Sequence, residues 1–74
     1  MKRNRFLSYL LAVGFLLGIR DGYIALWEDG CPHPREVFPC RAELLPEADQ
    51  RSLEKGIRLE NELELAQALE DYLS

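Results

Sequence analysis

Histidine, tryptophan and methionine occur once each in this 74-residue chain, and cysteine only twice. Two cysteines exclude a disulfide-dense toxin scaffold. Their spacing, Cys31-x₈-Cys40, is neither a redox C-x-x-C pair nor half of a zinc knuckle. Internal repeats, linkers and low-complexity runs are absent. An apolar fraction of 47 % beside 30 % charged residues excludes a disordered acidic tail and a collagen-like repeat. The length allows one domain. Such a chain buries a thin core, with an expected stability of about 4–11 kcal/mol. Little is left to hold a strained catalytic site, so neither an enzyme nor a bound cofactor is expected.

The first twenty residues have no acid at all. They hold Lys2, Arg3, Arg5 and Arg20, a charge of +4. The rest sets thirteen acids against Arg35, Arg41, Arg51, Lys55 and Arg58, a charge of −8. An acidic body repels a phosphate backbone, so nucleic acid is not an expected partner.

From Phe6 to Ile19 there is no charge (FLSYLLAVGFLLGI). With the basic residues before it, this has the n-region and h-region of an export signal. It falls short of the roughly 20 apolar residues of a spanning helix. No small-x-small cleavage site follows; Arg20, Asp21 and Gly22 come next. If the segment contacts or enters a membrane, Lys2, Arg3 and Arg5 favour a cytoplasmic N-terminus and an exported body. The alternative is a cytoplasmic domain in which this segment is part of the core.

Asp21-Gly22 sits between two β-prone runs, FLLGIR and YIALWE. Asp-Gly supplies the positive φ angles of a two-residue type I′ turn, so a hairpin is expected. Ile24 and Leu26 fall on its core face, with Tyr23, Ala25 and Trp27 opposite. The turn requires a partner for residues 23–28. A strand over residues 15–20 therefore takes precedence over a membrane segment there. Residues 6–13 are then expected as a short apolar helix, on the sheet or at a membrane surface. The chain divides into an N-terminal segment, residues 1–14, and a domain, residues 15–74.

Cys31-Pro32-His33-Pro34 is a stiff loop, because each proline fixes φ. Residues 35–38 form a short third strand that Pro39 confines to an edge or ends. A helix follows, with Pro46 at its first position and Glu47 and Asp49 in the first turn. Ala48 and Leu53 are assigned to its buried side, and Leu44 and Leu45 stand at its start. Glu47 and Arg51 are an i, i+4 pair, and Gly56 stops the helix after Lys55. Ile57 and Leu59 point inward from a brief strand. Asn61 and Glu64 make a variant capping box for a last helix over residues 62–73. Its stripe is Leu65, Leu69, Tyr72 and Leu73, widened by Leu63 and Ala66. The expected fold is α+β: a hairpin, third strand, helix, short strand and C-terminal helix around a small, mostly antiparallel sheet.

Five groupings carry possible chemistry or contacts. Cys31, His33, Cys40 and Glu36 do not make a convincing zinc set, since the fourth ligand is arbitrary and two prolines stiffen the loop. A Cys–His nucleophile pair lacks an electropositive pocket and an oxyanion donor. A Cys31–Cys40 disulfide would close a ten-residue ring worth about 2–3 kcal/mol, and it requires export. Glu70 and Asp71 lie in the last turn of the final helix, where the dipole disfavours acids by about 0.3–1 kcal/mol each. They are candidate contacts for a basic partner, either another protein or this chain's own Lys2, Arg3 and Arg5. Tyr23 and Trp27 are a candidate aromatic contact patch, unless the N-terminal apolar segment covers them.

LPEADQRSLEKGI (residues 45–57) followed by ENELELAQALEDYLS (residues 60–74) resembles the C-terminal domain of the bypass-of-forespore C (BofC) family of spore-forming Firmicutes. FLLGIRDGYIALWE (residues 15–28) is similar to the hairpin that opens that domain. The second half is the more specific part. There are three departures from the family pattern. Gly18 and Ile19 replace polar residues of the first strand, Phe38-Pro39 replaces threonine-aspartate of the third, and Cys40 replaces an isoleucine. That last change marks Cys40 as a small buried hydrophobe. The resemblance implies regulation without catalysis. One member of the family is an exported forespore protein that restrains a signalling protease during sporulation and has a further N-terminal domain. Residues 15–74 match the C-terminal domain alone, so the implied function is binding an unidentified protein partner at the cell envelope.

Overall fold

Asp21 and Gly22 take φ values of 54° and 86°, the positive pair that a type I′ turn requires. Two strands leave this turn, β1 (Phe15–Arg20) and β2 (Tyr23–Glu28). Ile19 lies opposite Ile24, and Leu17 opposite Leu26. The computed structural model describes residues 14–73. Beyond the hairpin come β3 (Glu36–Arg41), a 3₁₀ turn (Ala42–Leu44), α1 (Glu47–Lys55), β4 (Ile57–Leu59) and α2 (Glu62–Leu73). The four strands form one antiparallel sheet in the order β3-β2-β1-β4. The fold is α+β, as the sequence predicts. Phe15 to Ile19 belong to β1, one of the two inner strands, so they are not part of an apolar helix. The apolar helix expected over residues 6–13 lies outside the described residues. No helix among the described residues is long and apolar enough to cross a membrane.

Alternation decides the core. Phe15, Leu17, Ile24, Leu26 and Leu59 project from one face of the sheet and are buried together with Leu53 of α1. Full burial of a side chain of this size contributes about 1.5–3 kcal/mol. Ile57, Leu65, Ala68, Leu69, Tyr72 and Leu73 pack around that cluster half-buried. On the opposite face Ala25 is fully buried, and the Trp27 ring lies over Gly18, 3.2 Å from where a Cβ would stand. Only a glycine lets the indole lie that close to β1.

β3 departs from expectation at both ends. It starts at Glu36, one residue late, and it continues through Pro39. Tyr23 faces Arg41 while Ala25 faces Val37, so Phe38, Pro39 and Cys40 together lie opposite Ile24. A proline lacks one donor, and an edge-strand bulge is where that donor is not needed. Ala42 N–H then donates to the Gly22 carbonyl at 2.9 Å, tying the strand's end to the hairpin turn.

α1 is preceded by Pro46, which is the N-cap residue where the sequence places it one position later. The Gln50 side-chain amide donates to the Leu45 carbonyl at 2.8 Å, clamping the 3₁₀ turn to the helix. Leu53 is the buried residue of α1; Ala48 is exposed, against expectation. One turn of a nine-residue helix meets the sheet, and Ala48 lies on the other side of it. α2 starts at a capping box. Glu64 N–H donates to Asn61 Oδ1 at 2.9 Å, and Glu60 N–H donates to Glu64 Oε1 at 2.8 Å. Asn61→Ala is expected to cost about 0.5–2 kcal/mol. Thermal melts of that variant and of Asn61→Asp check it: the aspartate should retain most of the stability.

Candidate interaction surfaces

The described residues gather no group of three or more His, Cys, Asp and Glu side chains able to hold a metal ion. Cys31 is an exposed free thiol in the loop after β2, and its N–H donates to the Glu28 carbonyl. Cys40 is a half-buried free thiol packed against the core. His33 stands exposed in the same loop as Cys31.

Tyr23 and Trp27 are both half-buried and do different work. Trp27 faces Leu16 across the hairpin and roofs Gly18. Tyr23 belongs to the opposite end of the sheet. Its ring carries the Arg41 guanidinium at 5.3 Å, and its hydroxyl accepts from Arg41 Nη1 at 3.3 Å. Arg41 is held from the other side by Glu43, at 2.9 Å, so the cation is fixed over the ring. These contacts raise the Arg41 pKa further, the Glu43 hydrogen bond most.

The β3 bulge opens a cleft of about 490 Å³ beside Tyr23. Tyr23, Ile24, Cys40, Leu45 and Tyr72 line it, and Leu44 stands on its rim. Leu44 is 79 % exposed, the largest departure from the sequence reading, in which it stands at the start of α1. The 3₁₀ turn explains it. Leu45 N–H bonds back to the Ala42 carbonyl, which aims Ala42 and Leu45 inward and Leu44 out. The cleft is mostly apolar, with Tyr23, Tyr72 and Arg41 in its wall. The sequence signal for it was weak: Tyr72 reads as a core residue, and only its hydroxyl hints at a wet edge.

Burial and the nearby Asp49 and Asp71 carboxylates hold the Tyr72 hydroxyl above the ordinary pKa of 10.0, burial being the larger cause. The folded state thus favours the protonated phenol more than the unfolded chain does. Its contribution is fully present below about pH 10 and is lost as pH rises through the raised value. Tyr72→Phe is expected to unfold at higher pH than the natural protein in an alkaline titration followed by circular dichroism. Coincident curves would remove Tyr72 from the alkaline transition.

A second apolar surface runs along α2. None of its residues is fully buried, and Leu63 is 68 % exposed with Ala66 beside it. The stripe that meets the core is Leu65, Ala68, Leu69, Tyr72 and Leu73, so Leu63 and Ala66 do not widen it as the periodicity suggests. They line a shallow groove with Leu69, Leu73, Gln67 and Glu70, of about 530 Å³. It is continuous, through Ala66 and Leu69, with a smaller groove between α2 and the sheet, floored by Leu26 and Leu65. Glu70 is on its rim, while Asp71 is exposed near Tyr72. The structure thus separates Trp27 from the other candidates and brings Tyr23, Tyr72 and Asp71 to one end of the domain.

No family model, no curated protein and no solved structure matches this chain.

Proposed function

We propose that this chain is a non-enzymatic protein-interaction module of the BofC C-terminal type. In this reading it binds a protein partner at the cell envelope of a spore-forming bacterium and acts as a regulator. The observation that supports it is the Tyr23–Tyr72 cleft with Leu44 on its rim. Exposed leucine costs solubility without aiding the fold, whereas a partner that fills the cleft and covers Leu44 gains apolar burial there. The segments that resemble the family, residues 45–57 and 60–74, include α1 and α2 and contribute Leu45 and Tyr72 to that cleft.

The test joins location to contact in the natural host. Cells producing the untagged protein are fractionated, with protease applied from outside. A photo-crosslinking residue at Leu44 then reports what touches the cleft. The expected result is an externally digestible, envelope-associated body and one discrete protein adduct that disappears in Tyr23→Ala. A soluble, protected protein with no adduct dependent on Tyr23 overturns the reading.

A further inference from the structure

Charge is answered unevenly around the cleft beside Tyr23. At Tyr23 it is balanced: the Arg41 guanidinium lies over the ring and pairs with Glu43 at 2.9 Å. At Tyr72 it is not. Asp71 precedes Tyr72 in α2, and Asp49 stands in the first turn of α1. That turn is held against the cleft, because the next residue, Gln50, donates to the carbonyl of cleft-lining Leu45 at 2.8 Å. Beyond the effect of burial, both carboxylates act electrostatically on the Tyr72 hydroxyl, so they lie beside it. Asp49 is half-buried and Asp71 exposed, and neither has an ion-pair partner among the described residues.

This arrangement discriminates among occupants. An anionic membrane or a nucleic acid would bring like charge to Asp49 and Asp71. The described residues of a second copy offer no spare cation at this face. Each of the five described arginines pairs with an acid of its own chain, and Lys55 lies at the other end of α1 from Asp49. An extended peptide gains little main-chain pairing at the neighbouring edge, where Pro39 interrupts β3. A protein segment that docks by its side chains, with an apolar anchor and a cation close to it, meets every feature. Its anchor fills the cleft and covers Leu44, which is 79 % exposed. Its cation answers two unpaired carboxylates and offsets the unfavourable place of Asp71 in the last turn of a helix.

We infer that the cleft recognises a protein segment presenting a large apolar side chain with a lysine or arginine within one helical turn of it, the apolar side chain entering beside Tyr23 and Tyr72 and the cation meeting Asp49 and Asp71. This rests on the partner reading above and specifies the partner's chemistry.

The test selects displayed random helical peptides on the immobilised full chain, with Tyr23→Ala as the counter-selection. Selected peptides are expected to carry lysine or arginine about three or four positions from a leucine, isoleucine, methionine or phenylalanine. The affinity of a selected peptide, read by fluorescence anisotropy, should fall about three- to tenfold in Asp49→Asn with Asp71→Asn. It should recover in Asp49→Glu with Asp71→Glu and weaken as salt is raised. Thermal melts check that each variant is folded; the peptide composition and the salt dependence need no aspartate variant. Three results overturn the inference: no peptide that requires Tyr23, selected peptides without basic residues, or an affinity unchanged both in the asparagine variant and in salt. A dimer that Leu44→Asp separates overturns it too, as does binding to phosphatidylglycerol vesicles that Tyr23→Ala abolishes. Peptides of this class bound in vitro, with no Tyr23-dependent adduct from Leu44 in the host, refute the envelope-partner reading alone. A host adduct undiminished in Asp49→Asn with Asp71→Asn refutes this inference and leaves that reading standing.

Discussion

Leu53→Ala is expected to cost about 2–5 kcal/mol, the largest effect of any single helix substitution in this domain. Leu53 is 1 % exposed and is the residue through which α1 enters the core. The total stability of a chain this size is about 4–11 kcal/mol, so the variant is at or near the unfolding threshold. The loss propagates, because β4 follows α1 after a single residue and lies against β1 through three positions. Denaturant melts and amide exchange check both parts. The variant should lose midpoint, and at intermediate denaturant Ile57 to Leu59 should lose protection before the hairpin does. Leu53→Met, which conserves volume, should cost less than about 1.5 kcal/mol. An alanine variant within about 1 kcal/mol of the natural protein would show that α1 is held by its 3₁₀ clamp and not by Leu53.

Gly56→Ala is expected to cost about 1–3 kcal/mol. Gly56 joins α1 to β4 at φ 92°, ψ 129°, where a side chain is strained whatever the space around it. Its N–H closes the helix by donating to the Ser52 and Leu53 carbonyls at 3.0 and 3.1 Å. A Cβ would also stand 3.0 Å from Leu16 Cδ1. That contact is with the tip of a flexible side chain and relaxes cheaply, whereas the backbone strain does not. A double variant with Leu16→Ala separates the two. Most of the loss should remain when Leu16 is truncated; full recovery would assign the effect to the contact.

The hairpin and the two helices were legible because their signals are local. Asp21-Gly22 specifies its turn by backbone conformation alone, and Asn61 with Glu64 marks the start of α2 by side-chain reach. Gly56 marks the end of α1 for the same kind of reason. What was not legible depends on docking. Periodicity puts Leu63 and Ala66 next to the apolar stripe, but which part of that arc meets the sheet is set by how α2 lies on it. Ala48 and Leu44 follow the same logic at α1. The continuation of β3 through Pro39 could not be read, because the penalty for proline depends on whether its missing donor faces a neighbouring strand or the edge. The cleft at Tyr23 escaped for a related reason. It exists because the bulge at Phe38, Pro39 and Cys40 displaces β3 beside a tyrosine from the far end of the chain.

That bulge also governs how the sheet ends. A β-sheet with free margins invites strand addition by another chain, the route to fibrils and to peptide capture by main-chain pairing. Here one margin is β3, interrupted by proline and flanked by the charged Glu36 and Arg41. The other is β4, only three residues long with Arg58 at its centre. Neither presents an uninterrupted ladder of unpaired donors and acceptors. Growth of the sheet is therefore opposed at both sides, and the binding role proposed above goes through side chains, not main-chain pairing. Binding of that kind would read a partner's chemistry, where an open ladder would accept any extended peptide.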